Sequence, residues 1–476
     1  MHIELIRGSR KSLPLQISEA LGYRISSGLL EPGARLPSVR KLAVSLKVSQ
    51  VTISKAYADL ERRGMIICEQ GAGCYVKNSP QLREDTTQGW AKNYNDYLPR
   101  AQLWRNFDYS EVAYPFHLAA IHGDLLPLRQ IGGRMASLVT EHPELMASYG
   151  NFQGDKELRE VMRVHLLERG MTLPRSNLMI TSGSQQGIDL VARTFVGPGD
   201  TVYMESPSYT GAIDVFAGRG AEMIGVPTDE EGMRVDVLTR LCDQRPPKLI
   251  YTVPTFQNPS GVTMSIKRRQ RLLDLARSYH CLIVEDDPFS DLYFRSPPPP
   301  SLKSMDSGGH VVYMKSFSKV LAPGSRIACL AAGDDILSRL IAAKSASDLG
   351  SPLLTQQAVL PFIQGNYNAY ASQLRILLRN RMEKAITLLN EYAPDGVSWN
   401  IPEGGLNLWV KLPPNADIPL LHALAKENSL SFLPGDVCYS GDSRSSHIRL
   451  CYSQMTEGEM EQGLKLFLSL LTKFLK

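Results

Sequence analysis

Lys319 is the residue whose surroundings point most directly to a chemical reaction. It ends the run 315–319, where Ser316 and Ser318 stand just before it, and Arg326 follows seven residues later. The amine of such a lysine can form a Schiff base with an aldehyde, while hydroxyls and a guanidinium group hold a phosphate. The run therefore indicates a site for an aldehyde cofactor that carries a phosphate.

Four more segments with polar or aromatic side chains each follow a strand-like run. Residues 181–186 place hydroxyls and a glycine at the start of a helix, which makes an anion site. Residues 205–209 offer an aromatic ring, 258–261 an amide on a sharp turn, and 284–287 a carboxylate. A cofactor with a pyridine ring needs an aromatic side chain to stack on the ring, a hydrogen-bond donor for its phenolic oxygen and an acid beside its nitrogen. Singly, each segment is more often a helix cap or a turn, but their order after successive strands argues against coincidence.

From residue 178 onward, strand-like and helical runs alternate. Short buried strands separated by helices indicate an α/β fold with a mainly parallel sheet, whose ligands bind beyond the carboxyl ends of the strands. The predicted strands are 178–181, 201–205, 248–253, 281–285 and 311–314, and the predicted helices are 185–196, 235–242 and 266–280. A small α+β domain is predicted from strands at 406–412 and 447–453 and helices at 419–428 and 457–474.

This arrangement resembles the fold-type I enzymes that use pyridoxal phosphate (PLP), the aspartate aminotransferase superfamily, over residues 112–476. The resemblance implies PLP as the cofactor, joined to Lys319 as an internal aldimine. It implies no metal site. It also implies that six residues hold the phosphate: Gly183, Ser184, Gln185, Ser316, Ser318 and Arg326.

The same resemblance implies roles for five residues around the cofactor ring and the substrate. Tyr209 would stack on the ring, Asn258 would bind the phenolic oxygen, and Asp286 would pair with the ring nitrogen. Tyr149 matches a tyrosine that reaches the phosphate of the partner subunit, which implies a homodimer. Arg449 matches the arginine that clamps a substrate carboxylate, a task suited to a bidentate guanidinium group.

Phe289 departs from the pattern of this family. Many members carry a tyrosine three residues after the aspartate, where its hydroxyl gives the phenolic oxygen a second hydrogen bond. Phe289 has no hydroxyl. Its presence should change the electronic properties of the cofactor without preventing binding, and it weakens the case for a fast transaminase.

The excess positive charge lies at the other end of the chain. Residues 1–78 contain 12 Lys and Arg against 6 Asp and Glu, a net charge of +6, whereas the remainder holds 40 basic and 42 acidic residues, a net charge of −2. A small basic domain is typical of a protein that binds a polyanion.

Three helices are predicted in this basic region. The first spans 15–27, the second begins after the N-cap Ser38, and the third begins after the N-cap Ser49. We expect Val51, Ala56, Tyr57 and Leu60 to face inward. The polar start of the third helix then remains exposed, as in a helix-turn-helix that reads the major groove. A small helical domain that docks on another protein is the alternative.

Residues 65–76 form two strand-like runs around a glycine turn, which predicts a hairpin wing. Together with the three helices, residues 10–77 resemble the winged helix of the GntR family. The resemblance implies DNA contacts from the second helix, the third helix and the wing glycine. One departure is Gln50, where an arginine is common, so the operator sequence should be unusual. The predicted contacts are Arg35, Arg40, Ser49, Gln50, Thr52, Ser54, Lys55 and Gly71.

A GntR-type winged helix joined by a linker to an aminotransferase-like domain is the MocR-type architecture. The predicted domains are a DNA-binding domain at 1–77, a linker at 78–108, a large PLP-binding domain at 109–370 and a small domain at 371–476. The resemblance implies a transcription regulator that binds double-stranded operator DNA and uses its large domain as dimer platform and sensor. The effector would be PLP or a small amino compound. The alternatives are an active aminotransferase for 2-aminoadipate or aromatic amino acids, and a DNA-binding protein with a vestigial site.

Composition fits a protein of the cytoplasm. Apolar residues make up 43% of the 476, and no run approaches the roughly 18 uncharged apolar residues of a membrane span. The first residues start no secretory signal. Seven scattered cysteines without a Cys-x-x-Cys pair are expected to be reduced thiols.

Overall fold

The computed structural model describes residues 3, 5–6, 11–26, 29–69, 73–77, 112–441 and 445–475. The chain divides into two compact units, Met1–Tyr94 and Asn95–Lys476. The predicted fold class is confirmed, because three helices and a hairpin are followed by an α/β unit. The domain boundaries stay predictions, and the predicted linker at 78–108 lies outside the described residues.

The first unit contains α1 (Leu13–Ser26), α2 (Val39–Leu46), α3 (Gln50–Arg62), β1 (Ile66–Glu69) and β2 (Gly73–Val76). Both predicted caps are present. The Ser38 hydroxyl accepts a hydrogen bond from the backbone N–H of Lys41, and the Ser49 hydroxyl accepts one from that of Thr52. Each cap satisfies a donor that the start of a helix leaves without an intrahelical partner.

The core of the first unit joins α1 to α3. Ile17 and Leu21 of α1 and Ile53 and Leu60 of α3 are all completely buried. The prediction that Val51 faces inward was wrong, because its side chain is 63% exposed. Residues seven apart in a helix share a face, so Ile53 lies in line with Leu60 and takes the inward place.

The prediction that every cysteine is a free thiol was also wrong. Cys68 of β1 and Cys74 of β2 are joined by a disulfide. They are partners in the register of the hairpin, a relation that depends on the turn and that residue spacing alone did not reveal. The other five are free and buried: Cys242, Cys281, Cys329, Cys438 and Cys451.

The second unit is built from fourteen strands and thirteen helices within its described residues. Its strands are β3 (Tyr114–Pro115), β4 (Leu178–Ser182), β5 (Thr201–Ser206), β6 (Glu222–Asp229), β7 (Gly232–Met233), β8 (Leu249–Thr252), β9 (Leu282–Asp287), β10 (Val311–Ser316), β11 (Ile327–Ala331), β12 (Ser398–Trp399), β13 (Asn407–Lys411), β14 (Leu430–Ser431), β15 (Leu433–Pro434) and β16 (His447–Cys451). Its helices are α4 (Leu128–Glu141), α5 (Glu144–Ala147), α6 (Lys156–Leu167), α7 (Ser184–Phe195), α8 (Thr210–Gly218), α9 (Val235–Gln244), α10 (Ile266–Tyr279), α11 (Leu302–Met305), α12 (Asp334–Ser345), α13 (Leu353–Gly365), α14 (Tyr367–Tyr392), α15 (Ile418–Glu427) and α16 (Glu457–Leu475).

The central sheet has the order β4-β11-β10-β9-β8-β5-β6-β7. Neighbouring strands from β10 to β6 are parallel, and β11 is antiparallel to both of its neighbours. Successive side chains of a strand enter opposite faces, so Met179 and Ile180 belong to two different apolar clusters. Both faces are therefore buried, as a mainly parallel sheet requires.

A four-stranded antiparallel sheet, β12-β13-β16-β15, forms the core of the small domain. The predicted strands and helices of this region correspond to β13, β16, α15 and α16. The short strand β3 pairs in parallel with β14, which holds Tyr114 and Pro115 against this region. Among the helices that the structure describes, none is long and apolar enough to cross a membrane.

Candidate cofactor site

A cavity of about 400 Å³ lies at the carboxyl ends of the central strands. Segments that are far apart in the chain meet there because parallel strands end at the same edge of the sheet. Ten of the residues predicted for cofactor or substrate line it: Ser184, Gln185, Tyr209, Asn258, Asp286, Ser316, Ser318, Lys319, Arg326 and Arg449. The remaining lining residues are His117, Leu118, Ala119, Thr210, Val253, Pro288, Phe289 and Leu433.

One end of the cavity suits a phosphate. Gly183 stands between β4 and α7 with φ of 80°, and a Cβ atom there would lie 2.2 Å from the Arg326 guanidinium. Arg326 donates to the Ser318 hydroxyl and to the carbonyl of Ser182, both at 3.4 Å. The start of α7 therefore faces a guanidinium group across a glycine, and both attract an anion.

Lys319 lines the cavity. Its Nζ donates to the carbonyl of Ala119 at 2.6 Å. Burial, with the nearby charges of Arg449 and Arg326, lowers the pKa of Lys319 to about 8. The neutral form of this amine, which nucleophilic attack on an aldehyde requires, is consequently more populated near neutral pH than in an ordinary lysine.

Asp286 marks the end that suits a ring nitrogen. Its Oδ2 accepts a hydrogen bond from the Tyr251 hydroxyl at 2.8 Å. Its Oδ1 is buried and has no hydrogen-bond partner in the part of the chain that the structure describes. Burial raises the pKa of Asp286 to about 7. A pyridinium N–H would supply the missing donor and favour the ionised carboxylate, so this residue fits PLP.

Tyr209, which is predicted to stack on the cofactor ring, lines the cavity. Its hydroxyl donates to Gln185 Oε1 at 3.1 Å, and Gln185 Nε2 donates to the carbonyl of Gly211 at 2.9 Å. A Cβ atom at Gly211 would lie 2.7 Å from the Tyr209 ring. The ring is thus held by one predicted phosphate residue and by a close approach of the backbone.

Arg449 and Asn258, which both line the cavity, are in direct contact. Arg449 donates to Asn258 Oδ1 at 2.8 Å and to the carbonyl of His117 at 2.5 Å. The His117 ring lies 2.5 Å from the Ser431 hydroxyl, and burial lowers its pKa to about 4, so it is uncharged at neutral pH. A carboxylate that enters this side of the cavity would meet the positive charge of Arg449.

Several residues of the site were not predicted, among them three that bond to predicted residues. Tyr251 lies inside β8, where it reads as a core residue, and His117 and Ala119 come from a segment without a periodic pattern. Tyr149, which was predicted to serve the partner subunit, is 86% exposed and does not line this cavity. Phe289 lines it and is buried.

The residues predicted to contact DNA lie mostly on the surface of the first unit. Arg35, Arg40, Gln50, Ser54 and Lys55 are exposed. Two other predicted DNA contacts, the exposed Ser49 and the half-buried Thr52, are hydrogen-bonded to each other at 2.8 Å within the helix cap. Gly71 lies outside the described residues.

Two family models match the chain. The model described as bacterial regulatory proteins of the gntR family matches residues 13–76, and the model described as aminotransferase class I and II matches residues 136–467. The uncharacterized HTH-type transcriptional regulator YisV of Bacillus subtilis is 31% identical over 96% of this chain and 96% of its own length. Aromatic-amino-acid aminotransferase 1 of Thermococcus litoralis is 34% identical over 72% of this chain and 84% of its own.

Solved structures are similar to the second unit's fold. The kynurenine aminotransferase of Pyrococcus horikoshii is 30% identical with a TM-score of 0.75, over 82% of this chain and 98% of that one. LysN, the alpha-aminoadipate aminotransferase of Thermus thermophilus, was solved with N-(5'-phosphopyridoxyl)-L-leucine. It is 28% identical with a TM-score of 0.75, over 81% of this chain and 97% of that one.

These matches and the fit of the cavity identify the cofactor as PLP. Two HTH-type transcriptional regulators of Bacillus subtilis, YisV and YdfD, align with at least 95% of this chain, so their similarity extends over both matched regions. This chain belongs to the MocR-type transcription regulators, in which a GntR-family DNA-binding domain precedes an aminotransferase class I and II domain.

Proposed function

We propose that this regulator is a homodimer whose aminotransferase-like domain senses PLP or a small amino compound and resets the affinity of the winged helices for operator DNA. The observation that carries the proposal is the position of residues 114–122. They accept hydrogen bonds from Lys319 and Arg449, two of the three cationic residues that line the cavity, and they follow the predicted linker at 78–108 in the chain.

Each predicted cofactor residue keeps its proposed role in this function. Lys319 is the point of covalent attachment, and Gly183, Ser184, Gln185, Ser316, Ser318 and Arg326 hold the phosphate. Tyr209 stacks on the ring, Asn258 donates to the phenolic oxygen, and Asp286 pairs with the ring nitrogen. When bound, PLP supplies an electrophilic carbonyl and an electron-accepting ring.

Ligands would compete with the backbone of residues 117–119. The His117 carbonyl accepts from Arg449 and the Ala119 carbonyl accepts from Lys319. A carboxylate at Arg449 would replace the first contact, and attachment at Lys319 would remove the second. The segment would still be held by other bonds, such as that from the Cys451 N–H to the Phe116 carbonyl at 2.8 Å. It therefore has two possible arrangements, which a ligand can distinguish by affinity.

A mobility-shift assay tests this proposal. The DNA upstream of the protein's own gene is titrated with apo protein, then with PLP present, then with PLP and single amino acids. We expect the DNA affinity to change by about fivefold or more in at least one of these steps. Lys319→Met is the matched control, because its DNA affinity should not respond to PLP. Equal affinity of the native protein under all conditions would contradict the sensing role.

Dimerisation and DNA contacts complete the proposal. Exposed Tyr149 is available to reach the cofactor phosphate of the partner subunit, and sedimentation of the full chain measures the dimer. We propose DNA contacts from the eight predicted residues of the winged helix, Gly71 included. Binding to chromosomal DNA places the protein in the cytoplasm.

An active aminotransferase is the second candidate function. It is favoured by the lowered pKa of Lys319, by the intact set of lining residues and by the enzyme names of several relatives. Phe289 argues against it, because it offers no hydroxyl to the phenolic oxygen. Multiple turnovers with an amino acid and a keto acid would promote this candidate, whereas a single half-reaction would not.

A further inference from the structure

The hairpin of the first unit carries a pair of cysteines whose chemistry the regulator's proposed function does not use. Cys68 and Cys74 are half-buried and joined by a disulfide, whereas the chain's other five cysteines are buried free thiols. Solvent can therefore reach this pair more readily than any other sulfur among the described cysteines. Access to solvent is a requirement for thiol–disulfide exchange.

The two cysteines form a non-hydrogen-bonded pair of the antiparallel ladder. The backbone N–H of Cys68 points away from β2 and donates to the Glu61 carboxylate at 3.0 Å. The carbonyl of Cys74 points away from β1 and accepts from the N–H of Leu36 at 2.8 Å. Side chains of such pairs approach each other more closely than those of hydrogen-bonded pairs. The disulfide can consequently open and close without a change in the register of the strands.

Cys74 borders the support of a residue that is predicted to contact DNA, and Cys68 is held by α3. Next to Cys74, Tyr75 forms a bridge with Arg35, and the Arg35 guanidinium lies 5.9 Å from the centre of the Tyr75 ring. A Cβ atom at Gly73 would lie 3.0 Å from Arg35 Nε. On the other strand, the bond from Cys68 holds Glu61 near the end of α3. The disulfide thus links the strand that supports Arg35 to the strand that is held by α3.

We propose that Cys68 and Cys74 are a reversible thiol–disulfide modification site and that its state sets the DNA affinity of the winged helix. This inference rests on the DNA binding and the cytoplasmic location of the proposed function. Disulfides in the cytosol are mostly transient, catalytic or redox-sensing, so a disulfide beside a DNA contact has a regulatory role rather than a purely structural one.

The exchange balances with a low-molecular-weight disulfide as the oxidant. The thiolate of one cysteine attacks the small disulfide, forms a mixed disulfide and releases one small thiol. The thiolate of the other cysteine then attacks the protein sulfur of the mixed disulfide and releases the second small thiol. The protein loses two electrons and two protons, and the small disulfide is reduced to two thiols. A dithiol reductant reverses the exchange.

We expect the oxidised form to bind DNA more tightly. The disulfide holds β1 against β2, so the support of Arg35 is already ordered before DNA arrives, and ordering in advance raises affinity. The expected difference in dissociation constant between the two forms is about fivefold, since only one part of the interface is ordered.

The test uses the full chain with PLP, equilibrated in buffers of oxidised and reduced glutathione of defined ratio. Differential alkylation and peptide mapping report which cysteines are bonded, and the mobility shift on the upstream DNA reports affinity in the same samples. We expect the peptides of Cys68 and Cys74 to exchange their bond reversibly and DNA affinity to follow it. The double variant Cys68→Ser/Cys74→Ser should bind DNA like the reduced form in every buffer.

Two results would overturn the inference. One is a peptide map in which Cys68 and Cys74 stay as thiols at every ratio, or stay bonded under a dithiol reductant. The other is equal DNA affinity of the mapped oxidised and reduced forms. A redox response that persists in the double variant also overturns it, since it belongs to other cysteines. Protein that binds no DNA in either state contradicts the proposed function instead, and the peptide map still decides whether the site exchanges.

Discussion

Asp286 and Asp287 are neighbours on β9 and lie on opposite faces of the sheet, in two regions with different electrostatics. Asp286 faces the cofactor cavity, where burial raises its pKa to about 7. Asp287 faces a buried ion-pair cluster. Burial alone would raise its pKa, but the charge of Lys315, 3.4 Å away, helps to hold it below the ordinary value. Two equally buried carboxyl groups therefore have pKa values shifted in opposite directions. The presence or absence of a nearby cation decides which of them is available for chemistry.

The two lysines on β10 and just after it repeat this contrast. Lys315 is completely buried, donates to Ser290 at 2.7 Å and forms an ion pair with Asp291 at 3.0 Å. Lys319 donates to a backbone carbonyl, and its pKa is lowered to about 8. A charged, paired amine is not a nucleophile, whereas a partly neutral amine in a cavity is. A buried lysine indicates a reactive site only where no carboxylate partner stabilises its charged form.

Substitution of Lys319 and of Lys315 by methionine should separate covalent attachment of the cofactor from the buried ion pair. Lys319→Met should take up no PLP covalently, because the amine is gone, while the fold is kept. Lys315→Met should still form the borohydride-reducible adduct. Borohydride reduction followed by peptide mapping measures attachment, and far-UV circular dichroism measures the fold. An adduct at Lys315, or at neither lysine in the native protein, would remove the basis of the comparison.

Exchange of each aspartate for asparagine should change the stability of the apo protein in opposite directions at pH 8. Asp287→Asn leaves the charge of Lys315 less compensated, and breaking a buried pair typically lowers the free energy of unfolding by about 3–5 kcal/mol. Asp286→Asn removes a buried carboxylate whose ionised form is disfavoured, so it should stabilise. Urea unfolding of both variants measures the difference. Destabilisation of equal size in both would show that the two faces do not differ.

The pH dependence of apo stability should show the same contrast. Asp286 keeps its proton up to about pH 7 in the folded state but loses it near its ordinary value of 3.8 when unfolded. Its contribution is therefore fully present below pH 3.8 and is lost as pH rises to about 7. The expected loss is on the order of a few kcal/mol. Asp286→Asn should abolish this part of the profile, and Asp287→Asn should keep it. A profile that Asp286→Asn leaves unchanged would contradict the assignment.

The positions of these groups were partly predictable from the chain. Asp286 and Lys319 stand at or just past strand ends, and a parallel sheet brings strand ends together whatever their distance in sequence. Tyr251 was not predictable, because an aromatic residue inside a buried strand reads as core. His117 was missed because its partner Ser431 lies 314 residues away. Contacts of this kind depend on how the small domain packs against residues that are distant in sequence, and no local sequence pattern predicts that packing.

The first unit shows the same limit on a smaller scale. Its helix caps were predictable because Ser38 and Ser49 act on their own helices. Val51 was placed wrongly because a short helix with several apolar residues allows more than one inward face. The pairing of Cys68 with Cys74 was missed because it depends on hairpin register. Local capping is thus read from a sequence more easily than register.

The smallest expected effect concerns two tyrosines that support the two aspartates. Tyr251 donates to Asp286 at 2.8 Å, and Tyr313 donates to Asp287 at 2.5 Å. Loss of the Tyr251 hydroxyl removes the donor to Asp286 Oδ2, which costs about 1–3 kcal/mol of stability. Loss of the Tyr313 hydroxyl should cost less, because Asp287 Oδ2 still accepts from Ser290 and Lys315. Only Tyr251→Phe should also weaken PLP binding, because the Tyr251 hydrogen bond lowers the pKa of Asp286 and so favours the ionised form that pairs with a ring nitrogen.

Fluorescence titration with PLP across pH distinguishes the two variants. For Tyr251→Phe, the pH at which PLP affinity reaches half its maximum should move upward, since the pKa of Asp286 rises when the donor is lost. Tyr313→Phe is the matched control and should leave the PLP profile unchanged. If both variants shift the profile equally, the ion-pair cluster and the cavity titrate as one system, and the separation of the two faces would be wrong.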